Sequence, residues 1–322
     1  MVNGDVNIPR DMLKAIEDCH ERCNAHNDNF TSKLGAVLDI VYHYTDCTGL
    51  LGILKSGKIR LTDIFSLNDP SEVQHGVNHA WEILNAETQT RHPEARKFAN
   101  KFKNYSETGV EESGLFFVAC FSSTHKDLGQ WRAYGDDGSG FAIGFDGKLL
   151  ENAFVKRDDE GVPNNGTFPV TYNDDELCEI YNQIVNEVLP LFAMTDGRNL
   201  SNATINEFEK ILSISSTISI LYAAVLFKHE AYENEKEYRF LQIRGVDESD
   251  DDLGYRARSN SLIRFSEFDW NTTDQQVLRK IVIGPAADEK SAKIFAQECL
   301  RAGGFDPDNI IIQKSKIPYR NT

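Results

Sequence analysis

Val41-Tyr42-His43-Tyr44-Thr45, Leu50-Leu51-Gly52-Ile53-Leu54-Lys55-Ser56-Gly57 and Lys58-Ile59-Arg60-Leu61 decide the fold class. The first stretch reads as a strand with a polar His-Tyr-Thr edge. The second is a short apolar helix stopped by glycine, and the third is another strand. Far downstream, Glu235-Lys236-Glu237-Tyr238-Arg239 sets two carboxylates one residue apart at the mouth of a further strand.

Working outward, apolar spacing predicts a helix over 11–23 and a polar stretch over 24–29. Leu67-Asn68-Asp69-Pro70 reads as a turn, with helices after Ser71 and around 94–104. The unbroken apolar run Leu115–Phe121 predicts a strand buried on both faces. Phe141–Phe145 is expected to return beside it, hairpin-like, after a short helix and a Gly135–Gly140 turn. Residues 157–166 read as a loop and 167–172 as a strand. Two helices, 176–192 and 205–230, form a helical insert over 174–232. Strands follow at 237–244, 263–265, 280–283 and 310–313, with an acidic loop at 249–252 and a helix over 288–301. Strands, then helices, then strands favour α+β over a doubly wound sheet. The expected organisation is an N-terminal helical extension (1–35), one α+β core (36–285) and a C-terminal helix and strand completing it (286–322).

The 322 residues carry a net charge of −16, which argues against a protein-wide nucleic-acid footprint. No apolar run approaches the length of a membrane span, so no membrane partner is expected. The polar start containing Pro9 does not read as a secretory signal, and six scattered cysteines do not form a disulfide framework. A reducing cytoplasm is the expected location. Cys19 and Cys23 with His20 and His26 would make half a metal site, but no second ligand pair at zinc spacing follows, so no metal is expected.

The polar residues at the strand ends carry the functional reading. His43 and Tyr44, adjacent on a strand, point to opposite faces. The plain reading of His43 is a half-buried ring bonded to a backbone carbonyl; the functional one is a ligand donor or acceptor. Ser122 and Ser123 close the apolar strand and could donate to a ligand or cap a helix. Trp131 and Tyr134 beside Gly135 are core aromatics or a stacking platform. Glu235 and Glu237 would share a face if the strand has begun at Glu235, with Arg239 placed to orient them. Alternatively, these charges form a solvated edge.

Together, His43-Tyr44-Thr45, Ile53-Leu54-x-x-Gly57, Ser66-Leu67-Asn68-Asp69-Pro70, Cys120-Phe121-Ser122, Trp131-x-x-Tyr134-Gly135 and Lys228…Glu235-x-Glu237-Tyr238-Arg239 resemble an uncharacterised, mainly bacterial family, domain of unknown function 2971, over residues 40–285. That name carries no activity. More distantly, the His43 strand with its Ile-Leu-x-x-Gly helix, the serine-ended strand and the glutamate-opened strand resemble, in chain order, the ADP-ribosyltransferases.

This second resemblance implies an α+β, ADP-ribosyltransferase-like split β-sheet core with a helical insertion, and NAD as substrate in a cleft between two small sheets. His43 would bind the adenosine ribose, and Ser122 would lie near the nicotinamide ribose. Tyr134, Trp131 or Tyr44 would stack on nicotinamide. Tyr44, Thr45 and Arg239 would complete the cofactor-binding set. Glu237 would hold the ribose hydroxyl as the glycosidic bond breaks, and Glu235 would position the acceptor. The implied function is transfer of ADP-ribose to a macromolecule, protein or nucleic acid, by a toxin or phage-defence effector. An NAD glycohydrolase and a non-catalytic binding or regulatory module are the alternatives.

Overall fold

The computed structural model describes residues 7–35, 38–67, 71–96, 98–100, 102–103, 115–155, 165–244, 253–272 and 276–319. The expected Asn68-Asp69-Pro70 turn, most of the 157–166 loop and the 249–252 loop lie outside them.

Helix α1 (Arg10–Lys33) runs ten residues beyond its apolar pattern. The polar stretch stays helical because its inward positions still find partners. Asn27 donates to the Ser219 carbonyl at 3.3 Å, and Phe30 stacks on Phe227 at 5.2 Å. Strand β1 (Ile40–Thr45), helix α2 (Cys47–Ser56) and strand β2 (Lys58–Asp63) follow as the sequence predicts. Asp46 caps α2 by accepting the Gly49 N–H at 2.6 Å, and Gly57 ends it at φ 67°, a left-handed position that glycine adopts without steric cost. Helix α3 (Ser71–Thr90) precedes β3 (Leu115–Ser122), α4 (Leu128–Tyr134), β4 (Phe141–Asp146) and α5 (Gly147–Phe154).

After β5 (Asn165–Pro169) come α6 (Asp174–Phe192) and α7 (Asn202–Ala224). Helix α7 ends earlier than the expected residue 230, and a 3-10 turn over Glu230–Glu235 leads into β6 (Glu237–Arg244). Strands β7 (Gly254–Arg258), β8 (Ser261–Asp269) and β9 (Leu278–Ile283), helix α8 (Glu289–Ala302) and strand β10 (Ile311–Lys314) complete the chain. β7 was not anticipated, because Tyr255 and Ala257 alternating with Arg256 and Arg258 give only two apolar residues, too short a pattern to mark a strand.

One large mixed sheet joins the ten strands of the described residues, so the fold is α+β. Its hub is β3. Along one edge β3 pairs with β6 from Leu115↔Arg244 to Ser122↔Glu237, with β5 beyond. Two strands share its other edge. β1 joins at Tyr42↔Ser122, and β2 joins at Thr62↔Val118 and Asp63↔Phe117. β1 continues into β4, β9 and β10, and β2 into β8 and β7. The sheet therefore forks at β3. The hairpin expected between β3 and β4 does not form, because β1 lies between them and pairs with β4 from Ile40↔Asp146 to Thr45↔Phe141.

Apolar residues of α1, α3, α6 and α7 cover one face of the central strands, and those of α2, α5 and α8 cover the other. The insert over 174–232 thus supplies much of a helical layer, with α1, α3 and Ala95, Phe98, Ala99 and Phe102 contributing to it. The buried hydroxyls of α7 are satisfied locally. Ser213, Ser216 and Thr217 donate to the carbonyls of Glu209, Leu212 and Ser213 one turn back.

The turn after α4 closes against the end of β1. A methyl group on Gly140 would fall inside contact distance of the Thr45 carbonyl oxygen and 2.9 Å from the Gly135 carbonyl oxygen, both backbone atoms with little freedom to yield. Gly140→Ala is expected to destabilise the fold by about 1–3 kcal/mol, the usual cost of overpacking, read as a lower urea midpoint at unchanged m-value.

Candidate functional site

A cleft of about 170 Å³ lies where β1 and β2 part, comparable to a cavity that holds a single aromatic ring. Tyr42, His43 and Tyr44 line it from β1, Arg60 and Thr62 from β2, and Val118–Phe121 form its floor from β3. Tyr134 enters from α4, Arg256 and Arg258 from β7, and Lys228, Glu235 and Glu237 from the segment leading into β6. Register fixes this assembly: Tyr42, Ser122 and Glu237 lie side by side across β1, β3 and β6.

Lys228, only 3% exposed, donates from Nζ to Glu235 at 2.6 Å and to Glu237 at 2.9 Å. The other Glu237 oxygen accepts from Arg239 Nε at 2.6 Å, and Arg239 also donates to the Val225 carbonyl at 2.8 Å. Burial alone would push the Glu237 carboxyl up, but Arg239 and Lys228 hold it down at about 2. Two cations and two carboxylates thus compensate one another in a nearly dry setting. The geometry departs from expectation in one respect. Glu235 lies in the 3-10 turn and not on β6, and Lys236 between the two glutamates is left-handed at φ 46°. That backbone reversal lets both carboxylates converge on one ammonium. Glu235 keeps 16% of its side chain exposed against 4% for Glu237, so Glu235 is the carboxylate that a ligand meets first.

His43 is half-buried. Its Nδ1 donates to the Cys120 carbonyl at 3.1 Å, since a carbonyl only accepts, and this leaves Nε2 as an acceptor. Burial lowers its pKa, partly offset by that hydrogen bond, so the ring is neutral at pH 7. The plain reading of this histidine, a ring bonded to a backbone carbonyl, is what the structure shows at Nδ1. Tyr44, on the opposite face, donates to the Thr124 carbonyl at 2.9 Å and meets Trp131 edge-on at 4.9 Å.

Trp131 is 0% exposed and donates Nε1 to the His125 carbonyl at 3.0 Å, so it is a core residue that supports Tyr44. Tyr134, 36% exposed, is the aromatic that presents a surface to the cleft. Burial, with Glu235 adding to it, raises its phenol pKa well above the ordinary value.

Three further candidates lie behind the cleft wall. Ser122 donates to the Glu235 carbonyl at 2.6 Å and accepts the Thr124 N–H at 3.2 Å, so it holds the turn that carries Glu235. Thr45 packs on Gly49 in the first turn of α2. Arg239 is not among the residues lining the cleft and bonds Glu237, which is.

The opposite wall was not foreseen. Arg256 and Arg258 point to one side of β7, beside Arg60 and Thr62 of β2. Arg60 pairs with Glu267 at 3.1 Å and lies over the Phe265 ring at 4.3 Å. Arg256 donates to Thr62 Oγ1 at 3.5 Å and has no carboxylate partner among the described residues. Burial and the nearby Arg258 and Arg60 charges lower its pKa. Three guanidinium groups sharing one wall attract an anion. The only signal for them in the sequence is arginine at alternate positions, Arg256 and Arg258, in a strand the apolar pattern does not reveal. Lys228 stood in the quoted motif without a role.

The family described as "Protein of unknown function (DUF2971)" matches residues 130–240, a narrower span than the 40–285 expected. The match takes in Trp131, Tyr134, Lys228, Glu235, Glu237 and Arg239, and it also contains both α6 and α7. The helical segment therefore lies within the matched span. No curated protein and no solved structure matches the chain. No helix among the described residues is long and apolar enough to cross a membrane, and the six cysteines are free thiols.

Removing the Glu237 charge leaves Arg239 and Lys228 buried with less compensation. Glu237→Gln is expected to cost about 3–5 kcal/mol of stability, measured by urea unfolding. Because the folded pKa of about 2 is below the ordinary 4.5, this contribution is complete above about pH 4.5 and is lost as pH falls towards 2. The acid-unfolding profile of Glu237→Gln should lose that component.

Proposed function

We propose that this chain is an ADP-ribosyltransferase-like enzyme that binds NAD in the forked cleft, breaks the nicotinamide–ribose bond and passes ADP-ribose to a macromolecular acceptor. The observation that carries this reading is that His43, Tyr134 and the Glu235/Glu237 pair, separated by as many as 194 positions, line one cleft where the sheet divides. The expected cleft between two small sheets is replaced here by a fork within one continuous sheet.

In this reading the arginine wall of Arg60, Arg256 and Arg258 takes the diphosphate, since guanidinium groups match phosphate oxygens in charge and geometry. His43 Nε2 accepts a ribose hydroxyl. Tyr134 stacks on the nicotinamide ring, which a cleft of about 170 Å³ accommodates while the remainder of the dinucleotide extends along the open groove. The C1′–N bond breaks with its electron pair leaving on nicotinamide, and the ribose becomes oxocarbenium-like. The ionised Glu235 and Glu237 stabilise that charge, and their fixed positions avoid reorganisation at the moment of reaction. An acceptor oxygen or nitrogen then bonds C1′ and releases its proton to solvent. Water as acceptor gives the glycohydrolase alternative through the same first step. Action as a toxin or phage-defence effector in a cytoplasmic setting is a corollary of the transferase reading.

One observation favours a binding module instead: both Glu237 oxygens are already engaged, by Arg239 and Lys228. Assigning the contact with the reacting sugar to Glu235 accommodates that arrangement.

Incubation with adenylate-labelled NAD and a host lysate separates these readings. Wild type should label a macromolecule, and Glu235→Gln, which leaves the Glu237–Arg239 and Glu237–Lys228 pairs in place, should lower turnover at least a hundredfold while costing less stability than Glu237→Gln. Free ADP-ribose without labelling would mean hydrolysis, and unaltered NAD would favour the binding module. Independently, Arg256→Ala should weaken NAD binding by about 10–100-fold in calorimetry, the worth of a charge-assisted hydrogen bond, with a shallower salt dependence than wild type.

A further inference from the structure

Away from the cleft, α3 and the start of α6 bring together two histidines and a carboxylate that the proposed reaction does not use. His75 and His79 are four residues apart on one face of α3. Asp174 is in the first turn of α6, directly after the Asn173 cap. His75 Nε2 is 2.9 Å from one Asp174 oxygen, and His79 Nε2 is 3.9 Å from the other. One potential ligand atom from each residue lies within 4.8 Å of the other two. The approach of the helices is built in. Gly76, next to His75, faces α7 so closely that an added methyl would lie 2.8 Å from Ala224 Cβ and 3.1 Å from the Tyr181 hydroxyl of α6.

We propose that His75, His79 and Asp174 form a binding site for a divalent transition metal, with zinc the ion that two imidazoles and one carboxylate suit best. Ligands about 2.0–2.2 Å from a tetrahedral ion stand about 3.3 Å apart, so the present spacing needs only small side-chain rotations to close. The three side chains are one-quarter to one-half exposed, which gives an ion a route in from solvent. Cys178, one turn along α6 from Asp174, places its sulfur 3.9 Å from His79 Nδ1 and serves as an outer partner for that ring. His229 adds a third imidazole 5.5 Å from the His75 ring, but its Nδ1 accepts the Ala231 N–H, so its Nε2 carries the ring proton and the fourth position falls to water. A bound ion would fasten α3 to α6 beside the segment that carries Lys228.

Calorimetric titration of the untagged, metal-stripped protein with zinc chloride tests this. Wild type should bind one zinc ion saturably, and cobalt(II) in its place should show the intense visible bands of a tetrahedral centre. Magnesium should not compete. His75→Ala/His79→Ala should lose the saturable binding and the cobalt bands, and also the rise in melting temperature that zinc gives wild type. If that double variant does not fold, Asp174→Asn alone, at an exposed position, should weaken zinc binding roughly tenfold or more. Absence of saturable binding by wild type would overturn the proposal. So would zinc binding retained at full affinity in the folded variants, which would place the ion elsewhere, for example at Cys19, Cys23 and His26 of α1.

Discussion

The buried contact between Lys228, Glu235, Glu237 and Arg239 fixes both the end of β6 and the geometry of the cleft. Each charge alone would carry a large desolvation penalty at its depth, and together they nearly cancel. Lys228 ties the end of the helical layer to the mouth of β6. Arg239 extends the tie to the Val225 carbonyl just past α7. The left-handed Lys236 makes the convergence possible, and Ser122 holds the Glu235 carbonyl from the adjoining strand. The same four side chains therefore anchor the helical layer to the sheet and present an ionised carboxylate at the cleft.

The fork of the sheet gives that carboxylate a place to act. Because β1 and β2 share one edge of β3, the hydrogen-bonded surface opens at its centre and not at its rim. Side chains from five strands and one short helix then face a common space without a long loop to hold them. The two walls differ in kind. One combines the compensated Lys228–carboxylate cluster with Tyr134, and the other carries Arg60, Arg256 and Arg258. A ligand that offers hydroxyls and a flat ring at one end and phosphate at the other matches this arrangement.

Much of this was legible in the sequence where local chemistry and burial agree. The β1–α2–β2 unit, the apolar β3 and the start of β6 fall close to their expected bounds, because alternation, a cap and a stop glycine act within a few residues. The joining of His43 with Glu235 and Glu237 followed from motif order and not from any local rule. Pairing partners were less legible: β3 and β4 read as a hairpin, and only tertiary structure inserts β1 between them. Polar α1 residues remain helical because α6 and α7 supply partners that no window along α1 contains. Trp131 and Tyr134 were equivalent as letters. Burial separates them, one supporting the core and the other facing the cleft. β7, with its arginine wall, offers only Tyr255 and Ala257 as an apolar pattern, too little to mark a strand.

The most direct measurement is a crystal structure of the protein with a non-hydrolysable NAD analogue. Density is expected in the fork, with the diphosphate against Arg256 and Arg258, the nicotinamide ring against Tyr134 and its ribose within hydrogen-bonding reach of Glu235. An analogue bound away from β1 and β6, or a fork that stays empty at saturating analogue, would contradict it.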